Sequence, residues 1–524
     1  MKTNKMISIY DTTLRDGAQT LGVSFSLHDK IRIAQALDKL HIDYIEGGWP
    51  GSNPKDIEFF EQIHNYKLTH SKIAAFGSTK RKNTTVHDDE FLQALVQSRA
   101  DVITLVAKGW DFQVEKVLGV TLEENIDLIK DTIEYLKEKG FTVFLDSEHF
   151  FDGFKENSEY SLKTIQAAES AGADMVILCD TNGGTLPHEI NEITAKAFSK
   201  IKTPLGIHCH NDAGVAIANS IAGILAGIVS VQGTINGLGE RCGNCDLISM
   251  IANIYLKMGY HCNAAEKLHL LTETSHFVSE TANMVHDSKL PFVGEQAFAH
   301  KGGIHVAAIK KDTKTYEHIS PSVVGNKRQV LISELSGRGN IEFKMKELGI
   351  ELPPNLAKPI LDKIKKLEEY GYHFEAADAS LELMLKNETG DYKPFFETKS
   401  LRVTTYTSEA NSFQCEATVI VDVNGETEHT ASLGNGPVEA LDKAIRKALV
   451  KFYPILNELQ LSDYKVRVLS SKEGTGAQVR VLIDQRIENM YWTTIGVSTN
   501  IIEASWLALT DGIEYLLYKK QQTK

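Results

Sequence analysis

The chain has 524 residues, 42% of them hydrophobic and 24% charged, and carries a formal net charge of −13. This is ordinary globular composition with room for two or three domains. The acidic balance excludes nucleic acid and anionic membranes as partners, so an anionic ligand would need a local positive centre. No apolar run reaches the length of a membrane span. The N-terminus, MKTNKMISIYD, lacks the apolar segment of a secretory leader and runs almost directly into a strand, so no leader is expected to precede the fold. The six cysteines are too few for a disulfide scaffold, and reduced thiols in a cytoplasmic location are expected.

From residue 6 to about 270 a strand, loop and helix pattern repeats. The β-like runs are 6–10, 44–48, 72–76, 102–106, 142–145, 175–179, 205–209 and 229–234. They are mostly apolar and β-branched, as strands buried on both faces are. The segments between them, such as 29–40, 122–139 and 161–171, have helical periodicity, and several stop at Gly, as at Gly140 and Gly172. Eight such units predict an α/β fold, a closed (β/α)8 TIM barrel over residues 1–270; an open doubly wound sheet is the rival. Residues 271–395 lose this period and read as helical linker subdomains, with helices near 361–370 and 376–386 and breaks at Pro353-Pro354 and Pro359. Residues 396–524 read as a C-terminal α+β domain. Strands are expected at 401–406 and 414–423, then an Asn424-Gly425 hairpin turn, a helix over 437–453, strands at 465–469, 478–484 and 492–497, and a helix over 501–517. Segments 432–449 and 496–513 align loosely, sharing Glu439/Glu503, Ala440/Ala504 and Ala444/Ala508, which indicates an internal duplication. This part carries no catalytic-looking cluster, so sensing or assembly is its expected role.

Two motifs fall where a barrel keeps its working residues, at the C-terminal ends of strands. Asp11-Thr12-Thr13-Leu14-Arg15-Asp16-Gly17 follows the first strand, and His208-Cys209-His210-Asn211-Asp212 ends the seventh. His208 and His210 are two apart on a strand and share a face. With Asp16 they form a two-His, one-carboxylate set that can hold a divalent ion and leave positions open for substrate; Asn244 could add an amide oxygen. Arg15 could stabilise negative charge on a ketone oxygen, or could be a barrel-top salt bridge. Thr181 could hydrogen-bond a substrate carboxylate or simply cap a helix. Cys242-Gly-Asn-Cys245 has CxxC spacing without a second pair, and its plainer reading is two small residues in a Gly-rich loop.

With HCHND at 208–212 and NGLGERCGN at 236–244, DTTLRDG at 11–17 resembles the metal-dependent enzymes that condense acetyl-CoA with a 2-oxo acid: the isopropylmalate, homocitrate and citramalate synthases, with related lyases. The resemblance spans the whole chain. EGGWPGSNPKD at 46–56, AFGSTKRKN at 75–83 and LPFVGEQAFAHKGGIHVAAIKKD at 290–312 look most like the citramalate branch. The isopropylmalate branch carries FAHxSGIHQD where this chain has FAHKGGIHVA at 298–307, which weakens the leucine-pathway alternative using 2-oxoisovalerate. The resemblance implies a metal on Asp16, His208 and His210 with Asn244 nearby, and Arg15 on the keto acid. It implies Glu148 as the proposed catalytic carboxylate, and His305 as a histidine supplied from outside the barrel, expected from a partner subunit, with Tyr316 a helper of uncertain alignment. It implies acetyl-CoA and pyruvate as substrates, a homodimer, and isoleucine as effector of the C-terminal domain. Oxygen and imidazole donors suit Mg²⁺ or Mn²⁺ first, with Co²⁺ and Zn²⁺ as further choices.

Overall fold

The computed structural model describes residues 5–331, 338–353, 355–407, 413–469, 476–488 and 490–522; Pro354, half of one expected break, lies outside them. The chain divides into two units, residues 1–298 with 319–328, and residues 299–318 with 329–524. Each is described by itself.

In the first unit, β1 (Ser8–Asp11), β2 (Tyr44–Gly48), β3 (Lys72–Ser78), β4 (Val102–Lys108), β5 (Thr142–Glu148), β6 (Met175–Asp180), β7 (Leu205–Cys209) and β8 (Ser230–Gly233) pair in parallel in chain order. The ladder closes because β1 also pairs with β8, Ser8 opposite Ser230 and Asp11 opposite Gly233. The open-sheet rival is thereby excluded. Each strand is flanked by crossover helices on the outside and barrel interior on the inside, so both faces are buried; every residue of β6 is. The helices begin at strong local signals. Ser26 accepts from Asp29 N while the Asp29 carboxylate accepts from Ser26 N, opening Leu27–Lys39, and Thr121 and Glu124 do the same for Leu122–Glu138.

The second unit contains a short parallel pair, β9 (Ala299–His300) with β10 (Gln329–Val330), and helices Arg338–Glu347, Ala357–Glu369 and Asp378–Thr389. Pro359 does not break this region. It lies in the first turn of Ala357–Glu369, where backbone N–H groups have no helical partner to lose. Two three-stranded antiparallel sheets follow: β11 (Glu397–Thr407), β12 (Phe413–Val423) and β13 (Glu426–Gly434), then β14 (Gln460–Val468), β15 (Val479–Ile487) and β16 (Met490–Ser498). Helices Pro437–Leu449 and Ile501–Gln522 close the two halves.

The duplication is carried by hydrogen bonds as well as by letters. Thr430 Oγ1 donates to Ala444 O at 2.8 Å, and Thr494 Oγ1 donates to Ala508 O at 2.7 Å, each tying a last strand to its helix. The halves differ in cover. Ile495 and Val497 of β16 are buried with Ile341, Ile360 and Leu381 of the preceding helices, whereas Leu433, at the position matching Val497, is 56% exposed.

Asp511 links three elements of this unit. It accepts from Ser380 Oγ at 2.6 Å, and Ser380 Oγ accepts from Ile495 N at 3.0 Å. Burial, with Glu514 nearby, pushes the Asp511 carboxyl up to about 7. The folded state therefore favours its neutral form, and that contribution is lost as pH rises from the unfolded value toward 7. Asp511→Asn keeps an acceptor for Ser380 and cannot ionise. It is expected to raise the thermal midpoint at pH 8, by roughly 2–4 °C per kcal/mol gained, and to leave it unchanged near pH 4. Scanning calorimetry at both pH values measures this; equal effects at both would contradict it.

Candidate metal centre and active site

The segment after β1 is pinned to β8 by the first residues of its motif. Thr12 N donates to Gly233 O at 2.8 Å. The Asp11 carboxylate accepts from Thr13 N at 2.9 Å and Thr13 Oγ1 at 2.8 Å, and Thr13 Oγ1 accepts from Ile235 N at 2.9 Å. Burial pushes the Asp11 carboxyl up to about 7 against these bonds. Leu14 then packs into the core, and Arg15 and Asp16 line the cavity at the barrel mouth.

There Asp16 meets the two imidazoles of β7. One donor atom from each of Asp16, His208 and His210 lies within 4.8 Å of the others, and all three residues are buried. His208 Nε2 stands 3.4 Å from Asp16 Oδ2 and 3.3 Å from His210 Nε2. Burial opposes charge on Asp16, but Arg15 and the two histidines outweigh it and hold its carboxyl well below the usual range. Burial opposes a proton on His208 too, and Asp16 overcomes it, raising its pKa. Burial and then His208 lower His210 to about 4, so His210 is neutral.

Two imidazole nitrogens and a carboxylate oxygen converging in a buried spot form a donor set that suits a cation. Asn244 fits the same reading. Its Nδ2 donates to Leu238 O at 3.0 Å, while its Oδ1 is buried without a hydrogen-bond partner, leaving an oxygen donor unclaimed. Asn244 is set beside His210 by a tightly coiled loop. A Cβ on Gly239 (φ +151°) would meet Asn244 Nδ2 at 2.2 Å, and one on Gly243 (φ +82°) would meet Gly237 O at 1.9 Å. The Gly-rich text 236–244 is therefore a backbone requirement. Within it Cys242 is exposed and Cys245 is buried, and all six cysteines are free thiols.

Arg15 is held on three sides. Its Nε donates to Glu46 Oε1 at 2.6 Å, its Nη1 lies 3.5 Å from Asp16 Oδ2, and its guanidinium carbon stacks 3.9 Å from the Phe76 ring centre. Glu46 is fully buried and also accepts from Tyr10 OH at 2.7 Å; Tyr10 OH lies 2.8 Å from Thr104 Oγ1. Arg15 is thus both the salt bridge and an arm aimed at the cavity.

A cavity of about 450 Å³ opens over these residues, lined by Arg15, Asp16, His208, His210, Glu148 and Thr181 among others. Glu148, last in β5, is ion-paired with Lys108, last in β4. Thr181 does not cap a helix: its Oγ1 accepts from His149 N at 2.8 Å, so its own proton remains for another partner. Burial and Glu46 push Asp146, two residues before Glu148, up to about 7. His305 belongs to the second unit, on the helix Gly303–Ile309, with its ring stacked 4.0 Å from that of Tyr316.

Sequence reading missed Lys108, Asp146, Gln232 and the role of Glu46. The expected fourth strand ended at 106, two residues short of Lys108. In the fifth, Asp146 and Glu148 alternate onto one face, a signal of two inward carboxylates in an otherwise apolar strand.

The HMGL-like family profile matches residues 6–278, the homocitrate synthase post-HMGL domain-like profile 292–371, and the LeuA allosteric (dimerisation) domain 375–517. The chain is 52% identical over 520 residues to an (R)-citramalate synthase of Aquifex aeolicus, covering 98% of each chain. It is 50% identical over 520 residues to the (R)-citramalate synthase of Geobacter sulfurreducens, covering 99% of this chain and 98% of that protein. A 2-isopropylmalate synthase of Methanocaldococcus jannaschii is 32% identical over 523 residues, covering 98% and 96%.

The chain belongs to the citramalate synthase family. It is accordingly an acyl-transferring enzyme, and its C-terminal part matches the LeuA allosteric (dimerisation) domain family. Among the described residues no helix is long and apolar enough to cross a membrane.

Glu46 gives the geometry a direct test. Glu46→Leu removes one of the two carboxylates beside the Arg15 guanidinium and leaves the buried Tyr10 hydroxyl with Thr104 alone. The expected cost is about 3–5 kcal/mol of stability, read by chemical denaturation, with Glu46→Gln costing less. A loss below about 1 kcal/mol would show that Glu46 does not hold Arg15.

Proposed function

We propose that the protein is an (R)-citramalate synthase, which condenses acetyl-CoA with pyruvate, hydrolyses the thioester and serves isoleucine synthesis. The observation that carries this is the Asp16, His208 and His210 cluster with Arg15 beside it, in a chain 44–52% identical to citramalate synthases along almost its full length. Isopropylmalate synthases stand further off, at 30–32%.

Asp16, His208 and His210, with Asn244 Oδ1, would hold a divalent ion, Mg²⁺ or Mn²⁺ by donor chemistry. Such an ion, when bound, supplies Lewis-acid polarisation of the keto acid. The remaining steps belong to side chains. Arg15, fixed by Glu46 and Phe76, offers Nη protons to the oxygen on which charge develops, and because it is already immobile no reorganisation is needed. The Thr181 hydroxyl, whose oxygen is engaged by His149 N, donates its proton to the substrate carboxylate. Glu148 removes the methyl proton of the acetyl group. Lys108 keeps the Glu148 carboxylate oriented along the rim. His305, with Tyr316 stacked on it, is the second group proposed for proton transfer, on family resemblance. The LeuA-type domain supports a homodimer, and isoleucine is proposed as its effector.

A thiol-release assay with acetyl-CoA tests the reading. Pyruvate is expected to be used in preference to 2-oxoisovalerate, chelator to abolish turnover, and His210→Ala to lower kcat by about 10²–10³-fold or more. Preference for 2-oxoisovalerate would replace the assignment with isopropylmalate synthase. Isoleucine is expected to inhibit the intact chain; insensitivity would remove the feedback role.

A further inference from the structure

His208 has a second nitrogen, and what faces it decides what the first can do. Gln232 on β8 is the cross-strand neighbour of His208 on β7 and is fully buried. Its Oε1 lies 2.9 Å from His208 Nδ1. Its Nε2 donates to Asp146 Oδ1, on β5, at 3.0 Å. The three side chains cross the barrel interior in one line, from β5 through β8 to β7.

An amide is ambivalent, because its oxygen accepts, its nitrogen donates, and the group can be turned end for end. An ionised carboxylate is not, since it only accepts, and Asp146, pushed up to about 7, is mostly ionised at pH 8. Asp146 therefore selects which end of Gln232 it sees, and takes the NH₂. The oxygen is left facing His208. A carbonyl oxygen at 2.9 Å requires a proton on Nδ1. A neutral imidazole carries one N–H, so Nε2 must then present its lone pair, and Nε2 is the atom that stands 3.4 Å from Asp16 and 3.3 Å from His210. His210 has no such support, because its buried Nδ1 has no hydrogen-bond partner among the described residues.

We infer that Gln232, oriented by Asp146, is a positioning residue that fixes the His208 tautomer and so preorganises Nε2 for a divalent cation. This rests on the proposed reading that Asp16, His208 and His210 hold that cation. The relay makes His208 the directed ligand of the pair and His210 the adjustable one. It also gives a role to two buried polar side chains of the barrel interior, Gln232 and Asp146. An outer hydrogen-bond partner of a metal-binding histidine typically governs 10- to 100-fold in affinity.

The test is Mn²⁺ binding to the full chain at pH 8, followed by electron paramagnetic resonance of free Mn²⁺, with metal-free thermal unfolding as a fold control. Gln232→Leu, of similar size and without an acceptor, is expected to weaken Mn²⁺ binding about 10- to 100-fold and to shift the visible d–d bands of the Co²⁺-loaded protein. Gln232→Glu still offers an oxygen to Nδ1, and its second oxygen, protonated, replaces the donor to Asp146; its affinity is expected to stay within a few-fold of wild type. Asp146→Asn frees the amide to turn and is expected to weaken binding about 10-fold. A folded Gln232→Leu protein with wild-type Mn²⁺ affinity overturns the inference. If that variant does not fold, wild-type affinity in Asp146→Asn overturns it instead. Failure of the wild-type chain to take up Mn²⁺ would fall on the metal reading, a separate result from loss of the relay.

Discussion

The pairing of the first strand with the eighth is the constraint from which the site follows. Asp16 and the two histidines of β7 are remote in the chain, and no local propensity brings them together. They meet because eight parallel strands close on themselves and leave only β8 between β1 and β7. β8 is more than a spacer. Gly233 and Ile235 clamp the turn that carries Arg15 and Asp16, and Gln232 faces His208 from the other side.

Closure also creates an electrostatic problem, since charged groups are pressed into a space with little water. The structure answers it by passing charge along. Asp16 is balanced by Arg15, Arg15 by Glu46, and Glu46 by hydrogen bonding to Tyr10, which turns to Thr104. Where no partner is supplied, the group stays neutral, as His210 does. An arm held in this way has little freedom left to lose, and dipoles fixed in advance are what stabilise charge most effectively. The same network is costly to interrupt, because any one deletion leaves a buried neighbour unpaired.

The second unit solves a different problem with repeated parts. Each half lays a three-stranded sheet against one helix, and the same threonine-to-helix hydrogen bond recurs in both. A sheet has two faces, and here the two copies part company. Helices from the middle of the chain cover β16, while the matching face of β13 is open at Leu433. Duplication has thus been followed by divergence in what each copy packs against.

Much of this was legible from the letters alone. The barrel announces itself through apolar β-branched runs at regular spacing, because strands buried on both faces are mostly apolar. The Asp16, His208 and His210 cluster is readable too, since His208 and His210 share a face by strand periodicity and the DTTLRDG text marks Asp16. The duplication could be read at matching alanines, where a helix must approach its sheet closely. What no periodicity encodes is which polar groups face one another across the interior. That Glu46 would hold Arg15, that Lys108 would hold Glu148, and that Asp146 would reach His208 through Gln232 depends on strand register and inward direction around a closed ring. Pro359 makes the same point on a smaller scale: whether a proline breaks a helix or begins one depends on where the helix starts. Local chemistry determined the elements and the ligand types; tertiary closure decided their partners, because a hydrogen bond across the barrel is set by geometry summed over every strand between.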